Sequence, residues 1–225
     1  MALEEHGIDR PAAQLRPAID GSDVRKLTEA DVPKVSRALS RAFEDDPVMS
    51  WVFRRDAERE QTLERAFALF MRRIWLPQED CYGHEQLFGA ALWLPPGKWH
   101  LPIGQQLRLV PSMISVAGRN LPRLFRVLNL IESKHPKEPE HYYLAVLGIE
   151  PEFQGRGFGS ALMQPVLSRC DQEGVPAYLE SSKRRNVALY ERHGFKVVEE
   201  LPIASDGPPI WRMWREPGAV EVSGS

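Results

Sequence analysis

The sequence predicts a mixed α/β domain in which helices flank a central sheet. Two observations support this fold class. Short runs rich in branched and aromatic residues alternate with segments whose apolar residues recur at helical spacing, and residues 142–201 follow a strand, helix, strand, helix, strand order. With 43% hydrophobic and 27% charged residues, the chain is also apolar enough to bury a sizeable core.

The chain length of 225 residues fits one large domain as the default. Residues 1–22 are polar, contain Pro11 and Pro17, and lack any hydrophobic period. We therefore expect a flexible N-terminal tail over residues 1–22, one folded domain over 23–216, and a flexible C-terminal tail over 217–225.

The first elements of this domain are predicted from a strand pattern and a cap. Residues 24–27 form a candidate strand. Thr28 and Asp31 are three residues apart and resemble a capping arrangement for an amphipathic helix. Proline disfavours helical backbone in the residue before it, so this helix should end near Phe43, ahead of Pro47.

The middle of the chain alternates helices with one strand. The predictions are a helix over residues 56–75, a strand over 87–94, helices over 103–131 interrupted at Pro111 and Pro122, and a charged connector over 133–141.

The second half carries the clearest pattern. The predictions are a strand over residues 142–149, a helix from Gly157 to Cys170, a strand over 176–180, a helix over 185–193 closed by Gly194, and strands over 195–201 and 210–214. Pro165 conflicts with the helix around it, because proline removes one backbone donor and should kink the helix.

Charge, cysteine content and hydropathy exclude several classes of protein. The 29 basic and 31 acidic residues nearly cancel, so nothing indicates nucleic acid or an anionic membrane as a partner. Cys81 and Cys170 are too far apart for a zinc module and too few for a disulfide framework. The histidines lack metal-ligand spacing, and neither a signal peptide nor an 18-residue apolar stretch is present. We expect a cytoplasmic protein with no metal.

A glycine-rich turn, QGRGFG at residues 154–159, lies between a predicted strand and a predicted helix. Successive backbone N–H groups at a helix start can hold a phosphate, and glycine lets the phosphate approach closely. A Walker loop is excluded because no Gly-Lys-Ser/Thr follows, and the Rossmann fingerprint fails because Ser160 stands where its third glycine would fall. An ordinary strand-to-helix turn remains the alternative.

The turn and its surroundings resemble the GNAT superfamily of acyl-CoA-dependent N-acyltransferases. QGRGFG fits the Gln/Arg-x-x-Gly-x-Gly/Ala pyrophosphate loop of this family, and residues 136–218 resemble its puromycin N-acetyltransferase-like group. The resemblance implies a mixed, mostly antiparallel sheet that is flanked by helices and splayed at the acetyl-CoA site. It also implies direct acetyl transfer to the primary amine of a small molecule, such as the aminonucleoside puromycin, which would give antibiotic resistance.

The resemblance also implies the cofactor residues. Main-chain groups of Leu147, Gly148 and Ile149 would pair with the pantetheine arm, and Asn186 would bond to it. The phosphate turn would comprise Gln154, Gly155, Arg156, Gly157, Phe158, Gly159 and Ser160.

Two residues are predicted to move protons. By the family match, Tyr190 would donate a proton to the departing thiolate, and a phenol of pKa about 10 is protonated at neutral pH. Tyr190 could equally be a core residue. Glu180 is the first candidate for the base that deprotonates the amine, and burial would raise its pKa towards neutrality. An ion pair with Lys183 or Arg184 is the alternative.

Glu150, Glu140 and His141 are reserve candidates for the base. Asp45, Asp46 and Trp51 follow the first helix, which in this superfamily frames the acceptor pocket, and are candidate substrate residues. A solvated turn is the alternative for them.

Two other functions stay open. The acceptor could be a protein lysine or N-terminus, or the chain could be an acyl-CoA-binding sensor without turnover. For the oligomeric state, the sequence leaves both monomer and homodimer.

Overall fold

One seven-stranded sheet runs through the described residues, 23–53 and 56–218 of the computed structural model. The N-terminal tail predicted over residues 1–22 lies outside the described residues, as do 219–225 of the C-terminal tail. The elements in chain order are β1 Val24–Lys26, α1 Val32–Ala42, α2 Pro47–Val52, α3 Arg59–Phe70, β2 Cys81–His84, β3 Gly89–Leu94, α4 Ile103–Ala117, α5 Leu121–Lys134, β4 Tyr142–Ile149, α6 Phe158–Glu173, β5 Ala177–Ser181, α7 Arg184–Glu191, β6 Lys196–Pro202 and β7 Pro209–Arg215.

The strand order is β1-β2-β3-β4-β5-β7-β6, and every neighbouring pair is antiparallel except β4 with β5. Helices cover both faces. The apolar faces of α1 to α5 form one core cluster on one side of the sheet, and those of α6 and α7 form a second cluster on the other side. The predicted fold class, a mixed and mostly antiparallel sheet flanked by helices, is confirmed.

The sheet opens between its two parallel strands. Pairing of β4 with β5 covers Tyr142 to Leu144 opposite Ala177 to Leu179 and ends there, whereas β4 continues to Ile149. The register with β3 also shifts at this point, because Leu92 pairs with Val146 and Trp93 with Leu144. This irregularity bends β4. The carboxyl-terminal half of β4 therefore faces a gap, as the splayed sheet in the resemblance implied.

Helix α1 packs closely against the end of β4. Thr28 and Asp31 form the predicted cap, in which the Thr28 N–H donates to Asp31 Oδ2 at 2.8 Å, at a short 3₁₀ turn leading into α1. A Cβ added at Gly148 would lie 2.7 Å from Leu39 Cδ2 and 2.8 Å from Phe43 Cε2. The absence of a side chain at Gly148 thus lets α1 approach β4, and places the turn that follows α1 beside the gap.

Three details differ from the sequence predictions. Helix α2 and strand β2 were not predicted. Pro111 does not interrupt its helix, since α4 continues past it to Ala117 and ends at Gly118, whose φ is +52°. Pro111 lies on the exposed face of α4, where water can replace the lost backbone donor. Pro165 lies within α6, which runs continuously from Phe158 to Glu173, and the kink at this proline stays a prediction.

Two features are absent from the described part of the chain. None of its helices is both long and apolar enough to cross a membrane. It also contains no group of three or more His, Cys, Asp or Glu side chains placed to hold a metal ion.

Candidate active site

The glycine-rich turn has the backbone conformation that its sequence predicts. Gly155 and Gly157 have φ values of +71° and +87°, in the left-handed region that favours glycine. Gly157 caps the start of α6, and Gln154 Nε2 donates to the Ile149 carbonyl at 2.9 Å. The turn is therefore tied to the end of β4, and the free N–H groups of the first turn of α6 lie beside the gap.

A cavity of about 320 Å³ lies at this place and is called the first cavity below. Apart from Arg156, the residues predicted to bind acetyl-CoA all line it: Leu147, Gly148, Ile149, Gln154, Gly155, Gly157, Phe158, Gly159, Ser160 and Asn186. The Arg156 guanidinium instead lies over the Phe153 ring, 5.4 Å from its centroid. The cavity thus joins the glycine turn, the open edge of β4 and helix α7.

Sequence reasoning missed three cations in the first cavity. Lys183, Arg185 and Arg192 also line it. Together with the positive end of α6, they make this cavity suited to an anionic group such as a diphosphate. The sequence signal was available, because Lys183-Arg184-Arg185 is a basic run that opens α7.

Tyr190 and Asn186 share one face of α7 and line the same cavity. Tyr190 is 6% exposed and packs against Phe195, with ring centroids 6.1 Å apart. Burial, with a smaller contribution from the charge of Asp46, raises the pKa of Tyr190. The phenol therefore keeps its proton at neutral pH. Gly194, with φ +85°, closes the helix as predicted.

A second cavity of about 620 Å³ lies on the opposite side of the sheet opening. Its walls come mainly from α2 to α5 and are largely apolar and aromatic, including Phe53, Phe67, Phe70, Trp75, Trp99, Phe125 and Tyr143. Three carboxylates also line it: Asp46, Glu132 and Glu180. Phe43 and Asp46 line both cavities, so the two meet at the turn after α1. Sequence reasoning missed the aromatic wall, because no local motif predicts it.

Glu180 projects from β5 into the second cavity, and its side chain is 7% exposed. Burial raises its pKa to about 7, although the phenols of Tyr143 and Tyr178 and the charge of Arg212 partly offset that rise. A carboxyl group with this pKa can exchange a proton near neutral pH. Among the described residues, Glu180 forms no ion pair with Lys183 or Arg184, the alternative that the sequence left open.

Asp46 and Asp45 have different environments although they are adjacent. Asp46 is 1% exposed, accepts from the Met49 N–H at 2.9 Å as the cap of α2, and accepts from the Ser182 hydroxyl. Burial raises its pKa. Asp45 instead forms exposed ion pairs with Lys183 and with Arg185, the latter at 2.9 Å.

Among the predicted substrate residues, Asp46 lines both of these cavities, whereas Asp45 and Trp51 line neither. Asp45 faces its two cations, and Trp51 is a core residue, 7% exposed, with the Arg123 guanidinium 5.0 Å from its ring centroid. Of the reserve bases, Glu150 lies 3.4 Å from Arg41 Nη1, Glu140 is exposed, and His141 is buried beside His135.

Comparisons with known proteins agree with this geometry. The family model described as "Acetyltransferase (GNAT) family" matches residues 122–195, which include the glycine turn and α7. An uncharacterized N-acetyltransferase of Schizosaccharomyces pombe is 28% identical over 214 residues, covering 86% of this chain and 83% of that protein. These matches support a GNAT-family N-acetyltransferase.

The other similarities are more local or concern the fold. The mycothiol acetyltransferase of Propionibacterium freudenreichii is 43% identical over 56 residues, which is 24% of this chain and 18% of that protein. A solved structure titled histone acetyltransferase HPA2 and related acetyltransferase, from Corynebacterium glutamicum, superposes with a TM-score of 0.66 at 24% identity, covering 88% and 98% of the two chains. The Aedes aegypti arylalkylamine N-acetyltransferase 2 gives a TM-score of 0.55 at 13% identity, covering 87% and 98%.

GNAT enzymes use acetyl-CoA as cosubstrate, and the first cavity suits it chemically. The left-handed glycines leave room for a diphosphate at the start of α6, since a Cβ at Gly155 would have no atom within 4 Å among the described residues. Lys183, Arg185 and Arg192 supply positive charge. The unpaired edge of β4 offers backbone groups to an extended amide-containing arm.

Proposed function

We propose that this GNAT enzyme transfers the acetyl group of acetyl-CoA directly to the primary amine of a small, largely apolar molecule. One observation carries the proposal. A cationic, glycine-bordered cavity and an apolar cavity that contains a buried carboxyl group meet at Phe43 and Asp46. Such an arrangement would bring a thioester and an amine together from opposite sides of the opened sheet.

The first cavity would hold acetyl-CoA, the source of the activated acetyl group. The backbone N–H groups of residues 155–160 would bind its diphosphate, with help from the neighbouring cations. The open edge of β4 at Leu147 to Ile149 would pair with the pantetheine arm, and Asn186 would donate a hydrogen bond to it. This assignment places the thioester end of the arm towards Tyr190.

Glu180 would act as the base, either directly or through water. An amine that enters as an ammonium ion must lose one proton before its lone pair can attack the thioester carbon. Glu180, with a pKa of about 7, can take that proton at neutral pH. As the carbon–nitrogen bond forms and the carbon–sulfur bond breaks, Tyr190 would give its proton to the departing sulfur. No covalent acetyl-enzyme is needed.

Neither cysteine is suited to be an acetyl relay. Cys81 and Cys170 are both buried, and burial raises the pKa of each thiol to about 12. The reactive form of cysteine is the thiolate, which is scarce at such pKa values. Direct transfer between the two bound substrates therefore remains the preferred route.

The acceptor class follows from the walls of the second cavity. Apolar and aromatic side chains would cover the body of the acceptor, while Asp46 and Glu180 would attract its ammonium group. An aminonucleoside such as puromycin is one member of this class, as the resemblance to the puromycin N-acetyltransferase-like group implies. We place the catalytic domain over residues 23–216; monomer and homodimer both stay open, and the cytoplasmic location stays a prediction.

An amine panel tests the proposal. The release of free thiol from acetyl-CoA would be measured with puromycin, simple arylalkyl and alkyl amines, a polyamine, and peptides that offer a lysine or a free N-terminus. We expect the highest kcat/KM for amines with one apolar body. A clear preference for peptides would indicate a protein acetyltransferase instead. Tight acetyl-CoA binding without acceptor-dependent thiol release would indicate a sensor.

A further inference from the structure

Two buried histidines stand in a row beside Glu180. His135 follows α5 and is 4% exposed, and His141 precedes β4 and is 1% exposed. Their Nε2 atoms are 2.9 Å apart, His141 Nδ1 lies 2.8 Å from the Pro139 carbonyl oxygen, and His135 Nδ1 lies 4.0 Å from Glu180 Oε1. Neither His135 Nδ1 nor Glu180 Oε1 has a hydrogen-bond partner among the described residues.

These contacts fix the position of each ring proton. A carbonyl oxygen can only accept, so the hydrogen bond to Pro139 requires that His141 carry its proton on Nδ1. In neutral His141 the other nitrogen, Nε2, is then an acceptor, and it must accept from the Nε2–H of His135. Neutral His135 is left with a lone pair on Nδ1, which is the nitrogen nearest to Glu180.

The surroundings disfavour a positive charge on either ring. Burial lowers the pKa of His135 to about 3 and also lowers the pKa of His141. Trp99 stacks on His135 with ring centroids 4.1 Å apart, and the edges of Tyr143 and Tyr178 face the same ring.

The charged and titratable groups around the histidines and Glu180 come from every neighbouring element. Tyr143 of β4, Tyr178 of β5 and Arg212 of β7 act on Glu180. Arg212 also opposes a positive charge on His135, and Glu140 favours one on His141. Asp46, Glu132 and His100 line the same second cavity.

We propose that His135 and His141 are positioning residues that hold an unprotonated nitrogen against Glu180 and so control when this carboxyl group releases its proton. The proposal rests on the role of Glu180 in the proposed function. When Glu180 is ionised, its oxygen and His135 Nδ1 are two hydrogen-bond acceptors that face each other with no proton between them. When Glu180 carries a proton, its O–H can donate to Nδ1 once the two atoms move from 4.0 Å to hydrogen-bond distance. One arriving proton would therefore satisfy both buried atoms at once.

Substitution of His141 tests this arrangement, because it leaves Glu180 and His135 in place. His141→Leu removes the acceptor for the Nε2–H of His135, so His135 should move its proton to Nδ1 and donate to the Glu180 carboxylate. The acidic limb of the kcat/KM profile should then move to lower pH by about one unit, a tenfold change in ionisation. His141→Gln keeps one donor and one acceptor, and should leave the limb at its wild-type position.

A purely structural role would give a different result. If His141→Leu lowers activity equally at every pH, or if both variants give the same profile, the proposal is overturned. The wild-type protein offers a test that does not depend on variants or activity. Long-range proton–nitrogen NMR spectra of the imidazole rings should show the proton on Nε2 of His135 and on Nδ1 of His141. The opposite tautomers would refute this arrangement of hydrogen bonds.

Glu180→Gln separates this proposal from the proposed function. If Glu180 is not the base, this variant retains full activity with the acidic limb intact, and the base role that the proposed function gives to Glu180 fails. If Glu180→Gln is inactive while His141→Leu leaves the limb in place, the base assignment stands and only the role of the histidine pair fails.

Discussion

Replacing Glu180 by glutamine is expected to slow acetyl transfer and to stabilise the fold at the same time. Burial raises the pKa of Glu180 from its usual 4.5 to about 7. The folded state then holds the Glu180 proton more tightly than the unfolded chain does. The stability associated with this group is complete below about pH 4.5 and is lost as the pH rises through about 7.

The size of the stability effect follows from the same shift. The scale is about 1.4 kcal/mol per tenfold change in proton affinity. Relative to a group that stays protonated, the raised pKa of Glu180 lowers the free energy of unfolding by about 3 kcal/mol at pH 8 and by less than about 1 kcal/mol at pH 5. Glutamine is uncharged at both pH values and similar in size to the protonated acid. The variant should therefore gain about 2–3 kcal/mol at pH 8, or roughly 4–12 °C in Tm for a domain of this size.

The activity should change in the opposite direction. Glutamine cannot take the ammonium proton, so kcat/KM at pH 8 should fall by about 10²–10³-fold, within the range of general-base catalysis. In the wild-type enzyme kcat/KM should rise with an apparent pKa near 7, and at pH 6 it should be about one tenth of its plateau. In the variant, the acidic limb should be absent from the pH profile of any remaining kcat/KM.

Urea unfolding at pH 5 and pH 8, together with steady-state kinetics across this range, measures both effects. Glu132→Gln is the matched control, because Glu132 lines the same cavity but is 43% exposed and pairs with His100 at 3.0 Å. We expect less than about 1 kcal/mol for this exposed pair at either pH. If Glu180→Gln changes the free energy of unfolding by the same amount at pH 5 and pH 8, the buried, proton-holding Glu180 described above does not exist.

Three further outcomes are expected. Tyr190→Phe should lower kcat by about 10²-fold or more while calorimetry shows unchanged acetyl-CoA affinity, and an unaltered kcat would remove the acid role of the phenol. Gly157→Val should weaken acetyl-CoA binding at least about tenfold, because a branched side chain at a φ of +87° is strained by about 1–3 kcal/mol; unchanged calorimetric affinity would contradict this. Gly148→Ala should lower the free energy of unfolding measured in urea by about 1–3 kcal/mol, because its Cβ would collide with α1. At Gly159 a Cβ would meet Leu189 at 3.5 Å, so the control Gly159→Ala should be tolerated. Equal effects of the two substitutions would show that α1 moves aside.

The geometry of the glycine-rich turn and of α7 could be predicted from the sequence because its requirements are local. The two left-handed glycines and the start of α6 come from consecutive residues. Asn186 and Tyr190 share one face of α7 because they are four residues apart. Even so, the reason for Gly148 was incomplete. The resemblance implied only that main-chain groups at Gly148 pair with the pantetheine arm, and the structure shows that α1 also occupies the space where its Cβ would lie.

The acceptor side could not be predicted in the same way, as Asp45 and Asp46 show. Both carboxylates follow one helix, and the sequence offers no way to choose between them. The choice is made by α2, a helix of six residues that was not predicted. Asp46 caps this helix and is drawn inward towards Ser182, which leaves Asp45 outside with Lys183 and Arg185.

The same reasoning explains why a motif reveals the cosubstrate of this enzyme better than its acceptor. Glu180 is a candidate base because it is buried, and its burial is produced by residues far away in the chain, such as Tyr143 of β4 and His135 after α5. A substitution in either neighbour could move its pKa without touching the glycine turn or α7. Chains with an identical acetyl-CoA motif can therefore differ in acceptor and in pH dependence, and under the proposed function the residues that decide both lie in the walls of the second cavity.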